Sequence, residues 1–224
     1  MATQHTLGRC LLLLAMLVPA IAIGESLSSL RVFVTDGESQ PVPDAVVVAV
    51  PNDPSIAADA RPRAESLDQI DKEFVPQVKP VFVGSTVAFP NRDNVRHHVY
   101  SFSPAKRFEL PLYSGVPARP VLFDKPGVVV LGCNIHDWMI GYIYVSESPF
   151  FAKTDARGAA TIAELAPRTF VVRVWHPRMK SSEDAKRREV TLAQGRSVEL
   201  HVTLALTPES RVRRAPGVDH GAHY

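Results

Sequence analysis

The chain has 224 residues, 46% of them hydrophobic and 21% charged, enough apolar material for one large domain or two small ones. Its 25 basic and 23 acidic residues leave a formal net charge of +2, so no overall positive field exists to attract nucleic acid or an anionic membrane surface. Clusters such as Lys186-Arg187-Arg188 and Arg211-Val212-Arg213-Arg214 read as solvated surface.

Residues 1–24 carry a lone Arg9, the apolar run Leu11 to Ile23, and small residues at Ala20, Ala22 and Gly24 that suit a signal peptidase. The run is short for a bilayer span and is broken by Pro19. Cys10 precedes the apolar core, which argues against lipid attachment. The segment is therefore expected to be a signal peptide, giving a periplasmic or secreted protein with no membrane insertion after signal cleavage. Its removal leaves Cys133 as the only cysteine. An unpaired cysteine in an oxidising compartment calls for an explanation, which could be an intermolecular disulfide, a buried inert thiol or a metal ligand.

Beyond residue 30 almost nothing has helical periodicity. Short β-branched and aromatic runs alternate with Pro, Gly, Asp and Asn clusters. Strands are expected at Leu30 to Thr35, Ala45 to Val50, Pro80 to Phe89, His97 to Phe102, Val128 to Cys133, Ile140 to Val145, Phe170 to Trp175, Glu189 to Leu192 and Val198 to Leu206. In the last of these, Val198, Leu200, Val202, Leu204 and Leu206 form one apolar face. The expected class is all-β, built from sandwiches. The polar, Pro-containing stretch from Asn52 to Lys72 reads as a connector without elements, and residues 207–224 as a disordered tail.

The chemically informative stretch is Leu131-Gly132-Cys133-Asn134-Ile135-His136-Asp137-Trp138-Met139. It sets a thiolate, an imidazole and a thioether at Cys-x-x-His-x-x-Met spacing on a loop between two β-forming runs. Thiolate and thioether suit Cu(I), imidazole serves both oxidation states, and two imidazoles with one thiolate and a weak axial thioether make a blue copper site. The second imidazole is available at His97 or His98. Side chains on a strand alternate faces, so only one of the two can reach the loop. No Ser-His-Asp grouping, phosphate-cradling glycine loop or paired carboxylate motif is present, so the protein is not expected to be an enzyme.

From roughly Val75 to Val145 the chain resembles the cupredoxins, the blue copper family that includes plastocyanin and amicyanin. The resemblance is carried by Asn91-Arg92 ahead of the histidine pair, by Phe123-Asp124-Lys125-Pro126-Gly127 leading into Val128 to Cys133, and by the Cys-to-Met spacing. His-His-Val-Tyr-Ser-Phe and Gly-Cys-Asn-Ile-His-Asp-Trp-Met resemble a group labelled methylamine-utilisation or plastocyanin-like proteins. In the family the first ligand is followed by Asn and Val, so the resemblance implies that His97 is the ligand and that His98 takes the Asn position. It implies a Greek-key β-sandwich and one type 1 copper ion on His97, Cys133, His136 and Met139. It further implies single-electron transfer with a transient partner such as a cytochrome or dehydrogenase, docking near His136 on a rim of Trp138, Met139 and Ile140. Asp137 and Trp138 depart from the family, which usually has a proline near the second histidine. Two rival readings are a periplasmic copper storage or delivery protein, and a binding or structural sandwich with incidental copper.

The flanks resemble halves of a carboxypeptidase-regulatory or transthyretin-like β-sandwich. The first is Leu30 to Asp36 with Pro41 to Val47, although Gln40 stands where a glycine is usual. The second is Thr154 to Gly158 followed by Phe170 to Trp175. The expected organisation is residues 25–50 and 149–206 as the two parts of this sandwich, with a cupredoxin domain at 66–148 inserted in it or followed by it. Leu30 to Val50 should then pair with strands from Ala159 to Leu206. Trp175-His176-Pro177-Arg178-Met179 repeats a His-x-x-Met spacing and reads as a structural strand end. His220 and His223, in the tail, form no preorganised site.

Overall fold

The computed structural model of the protein describes residues 27–53, 55, 60–117, 119–180 and 187–208. The expected signal peptide, the tail beyond Pro208, and His220 and His223 lie outside the described residues.

The protein is all-β. Its strands are β1 (Ser28–Thr35), β2 (Val46–Pro51), β3 (Ala64–Ser66), β4 (Asp68–Ile70), β5 (Glu73–Val75), β6 (Val78–Phe82), β7 (Ser85–Ala88), β8 (His97–Ser103), β9 (Lys106–Tyr113), β10 (Val121–Phe123), β11 (Gly127–Cys133), β12 (Ile140–Ser146), β13 (Phe151–Lys153), β14 (Ala159–Leu165), β15 (Thr169–Trp175), β16 (Arg188–Thr191) and β17 (Ser197–Thr203).

β1 runs antiparallel to β14 and parallel to β17, with Val32 opposite both Ala160 and Leu200. β2 lies between β13 and β15 in a second sheet that β16 completes. The two sheets enclose Leu30, Val32, Val34, Val47, Phe170, Val172, Val174 and Val202. In β1 the alternation follows the strand period: Leu30, Val32 and Val34 face this core and Arg31 faces solvent. The chain thus leaves this flanking sandwich after β2 and re-enters it at β13.

Between those points lies a central sandwich. Its larger sheet has the order β6-β12-β11-β8-β9, opposed by β10-β7-β3 and the β4-β5 hairpin. The core holds Leu67, Phe74, Phe89, Val99, Phe123, Leu131, Cys133, Met139 and Ile143.

A third apolar cluster joins the two sandwiches. Val46 and Val48 of β2 meet Val78 of β6 and Tyr144 of β12, all four buried, with Val50, Val128, Tyr142, Phe151 and Trp175 packed around them. Trp175 lies across both tyrosines, with ring centroids 5.9 Å from Tyr142 and 5.5 Å from Tyr144. β2 is therefore buried on both faces, the situation in which a strand is apolar throughout instead of alternating.

Two expectations need correction. Pro80 to Phe89 is not one strand: Gly84, at φ +86°, turns the chain so that β6 enters the larger sheet and β7 the smaller one. The stretch from Asn52 to Lys72 is not a bare connector, because it contains β3 and β4 and buries Leu67 and Gln69 completely. With strands three residues long, too few positions face inward to set up a readable period. Of the expected tail, Thr207 is tied to the fold through its N–H, which donates to Arg178 O at 2.8 Å.

Candidate metal centre

One end of the central sandwich gathers His97, Cys133 and His136. β8 and β11 are antiparallel neighbours with Cys133 opposite Val99, which brings the start of β8 to the end of β11. His97 is fully buried, and its Nδ1 lies 3.7 Å from Cys133 Sγ. After Cys133 the chain turns, the Met139 N–H donating to His136 O at 2.9 Å, and this brings His136 Nδ1 also to 3.7 Å from the sulfur. The two imidazole centroids are 5.0 Å apart, and one ligand atom from each of the three residues lies within 4.8 Å of the others. Met139 is buried in the same core as Cys133.

His98 points to the other side of β8, as strand alternation requires. Its Nε2 lies 2.9 Å from Glu109 Oε1 but off the direction of a hydrogen bond. The structure therefore places His97, and not His98, against the cysteine. Trp138 and Ile140 are half-buried, and the Trp138 ring lies 5.2 Å from that of His136. Met139, at 1% exposure, is not part of a surface rim; Ile135 and Val95 are exposed instead. The second His-x-x-Met segment is a turn: Met179 N–H donates to His176 O, and the His176 N–H donates to Met179 Sδ.

The electrostatics favour a thiolate. Burial pushes the Cys133 thiol up, but hydrogen bonds from His97, from the backbone N–H groups of His98 and Ile135, and from His136 outweigh it and bring the pKa down to about 6. Burial pushes His97 down, yet its hydrogen bonds to Cys133 and Asp93 raise it above the ordinary histidine value. Burial drives the nearby Tyr113 hydroxyl up to about 12, with the Cys133 charge adding to the shift against a hydrogen bond from Gln69.

Sequence reasoning missed Asp93. Its Oδ2 accepts a 2.7 Å hydrogen bond from His97 Nε2, on the side of the ring away from the cysteine. A carboxylate four residues ahead of a buried histidine is the signal that was available. Burial pushes the Asp93 carboxyl up, and its hydrogen bonds with His97 and with the Lys72 and Asp71 N–H groups lower it overall.

The donor set fits a first-row metal ion. With bonds of about 2.3 Å to sulfur and about 2.0 Å to nitrogen, a shared ion at tetrahedral or trigonal angles separates S from N by roughly 3.5–3.7 Å. Both observed sulfur–nitrogen separations are 3.7 Å.

No family model matches the chain, and no curated protein does. Several solved structures resemble parts of it. A purple cupredoxin from Nitrosopumilus maritimus is 24% identical, with a TM-score of 0.33, over 37% of this chain and 99% of that one. A reduced amicyanin variant is 22% identical, with a TM-score of 0.34, over 46% of this chain and 99% of that one. A copper-containing nitrite reductase from Thermus scotoductus is 29% identical, with a TM-score of 0.36, over 44% of this chain and 27% of that one. Likenesses this faint do not assign a function.

Proposed function

We propose that the protein is a type 1 (blue) copper protein that carries single electrons between redox partners, its ion held by His97, Cys133 and His136 with Met139 as the weak axial ligand. The observation that carries this reading is the triad itself: one thiolate and two imidazoles, each nitrogen 3.7 Å from the sulfur, at the end of the central sandwich. When bound, copper in this donor set supplies a one-electron couple that the side chains alone lack. The fold fixes each of these residues. His97 is locked by burial and by Asp93, Cys133 by its strand, and His136 by the Met139 turn. Little rearrangement then accompanies a change of oxidation state, which suits electron transfer over substrate chemistry.

The partially exposed His136, with Trp138 against it and the exposed Ile135 next to it in the chain, offers a small apolar surface for a transient redox partner such as a cytochrome or dehydrogenase. An export signal at residues 1–24 would place this exchange in the periplasm or outside the cell. Among the described residues no helix is long and apolar enough to cross a membrane.

The test is the visible spectrum of the protein titrated with Cu(II). One equivalent should turn the protein blue through thiolate-to-Cu(II) charge transfer, and Cys133→Ser should remain colourless. A wild type that binds Cu(II) stoichiometrically without colour would overturn the proposal.

A further inference from the structure

Asp93 does more than touch a ligand. A carboxylate can only accept, so the 2.7 Å contact requires a proton on His97 Nε2, and when the ring is neutral this makes Nδ1, the atom facing Cys133, the unprotonated one. Asp93 is itself held from an unexpected direction. The β4-β5 hairpin turns at Asp71 and Lys72, both in the left-handed region at φ 54° and 60°. That conformation is sparsely populated by residues other than glycine. Here it points two successive backbone N–H groups at the Asp93 carboxylate, Asp71 N to Oδ1 at 2.7 Å and Lys72 N to Oδ2 at 2.9 Å. The other side of Asp93 is fixed as well. Its own N–H donates to Asn91 Oδ1 at 2.9 Å, and the Asn91 amide bonds to Val95 O and Tyr113 O. The hairpin is pinned to the same loop by Gln69 N–H to Pro90 O and Arg92 N–H to Gln69 O, both 2.9 Å.

We infer that the Asp71–Lys72 turn and Asp93 form one tuning element for the metal centre, with Asp93 as a positioning residue that acts through His97. The inference rests on the copper reading above. An anionic acceptor behind an imidazole fixes its tautomer and raises its basicity, which favours the more highly charged metal ion. Backbone N–H groups that share the carboxylate hold it in place and moderate that effect. The hairpin, a segment with no ligand of its own, thereby sets the balance between Cu(II) and Cu(I).

The test uses the full chain. Asp93→Asn keeps the shape and an acceptor oxygen but removes the charge. Its Cu(II) affinity should fall about 10–100-fold with Cu(I) affinity little changed, which for a one-electron couple raises the reduction potential by about 59 mV per tenfold. Lys72→Pro, which removes the N–H donated to Asp93 Oδ2 and cannot adopt the positive φ, should move the potential away from the wild-type value. Nitrogen NMR of the His97 ring in metal-free protein, at a pH where the ring is neutral, should show the Nε2–H tautomer in the wild type and a shifted tautomer balance in Asp93→Asn. An unchanged potential together with an unchanged tautomer in Asp93→Asn overturns the inference. A colourless copper-loaded wild type overturns the copper reading instead, and the metal-free NMR still decides whether Asp93 sets the tautomer.

Discussion

The flanking and central sandwiches bury the same kinds of apolar side chain, Leu30, Phe170 and Val172 in one and Leu131, Phe89 and Ile143 in the other, but they bury polar groups for different purposes. In the flanking sandwich a buried hydroxyl ties a loop to the backbone. Ser28 Oγ donates to Ala193 O, and Thr154 Oγ1 donates to Val42 O while accepting from Ala45 N–H. Each hydroxyl is satisfied locally, and the result is a closed structure. In the central sandwich His97, Asn91 and Gln69 are buried together at one end, linked through Asp93, Tyr113 and the β4-β5 hairpin, and the network ends on a thiolate. Polar burial that converges on a reactive group marks a site, whereas dispersed polar burial marks architecture.

The largest expected effects test how far the two regions are separate bodies. Leu131→Ala and Leu30→Ala each empty a fully buried position, one in each core, and should each cost about 2–5 kcal/mol. Because Val46, Val48, Val78 and Tyr144 join the sandwiches, both variants should lower the midpoint of a single calorimetric transition. Two transitions, each sensitive to one variant, would show independent domains. For the same reason a fragment spanning residues 66–148 exposes Val78 and Tyr144. It should still bind copper, but with a lower thermal midpoint than the full chain.

A smaller effect is expected at Gly141, two residues after Met139. A Cβ there would lie 2.8 Å from the Phe74 Cβ, an atom too close to the backbone to move freely. Gly141→Ala should therefore cost about 1–3 kcal/mol by overpacking, measured by denaturant unfolding, and should disturb the spectrum of the loaded centre. A variant as stable as the wild type would mean that the hairpin does not press on β12.

The pH response should also distinguish the regions. Cys133 is depressed to about 6, so the stability it contributes is fully present above the ordinary thiol pKa of 9.0 and is lost as pH falls through about 6. His97 is raised, so its contribution has the opposite sign, present below 6.5 and lost as pH rises through its folded value. Metal requires both groups deprotonated. Affinity should therefore weaken once pH falls through the raised His97 value, and more steeply below about pH 6 where Cys133 also takes up its proton, by about tenfold per pH unit for each proton displaced. A flat affinity between pH 7 and pH 5 would contradict the thiolate assignment.

Smallest of all, His98→Ala should keep the blue colour with a modest change in potential, whereas His97→Ala should lose it. The reverse outcome would move the ligand to the other face of β8.

Much of this was legible because the signals are local. Cys-x-x-His-x-x-Met spacing needs no tertiary knowledge, and strand alternation shows that only one of His97 and His98 can reach the loop, although it took the family resemblance to prefer His97. The split of the flanking sandwich was readable from Leu30 to Thr35 and Phe170 to Trp175, which have the residue types of strands and too few neighbours nearby in sequence. Other features depended on distant partners. Ala45 to Val50 was readable as a strand, but that its unbroken apolar run serves two cores follows only from what packs on each face. β3, β4 and β5 are too short for a period, and Gln69 was an ordinary polar residue until the fold enclosed it. Asp93 lay in a loop whose importance comes from the two N–H groups that Asp71 and Lys72 bring to it.

The most direct test of the central claim is voltammetry of the copper-loaded wild type in the presence of a Cu(I) chelator. The account predicts a reversible one-electron couple, one copper per chain, and Cu(I) retained through repeated cycles because its ligands are held in place in both oxidation states. An irreversible wave, with Cu(I) passing to the chelator after the first reduction, would contradict electron transfer and identify a protein that delivers copper.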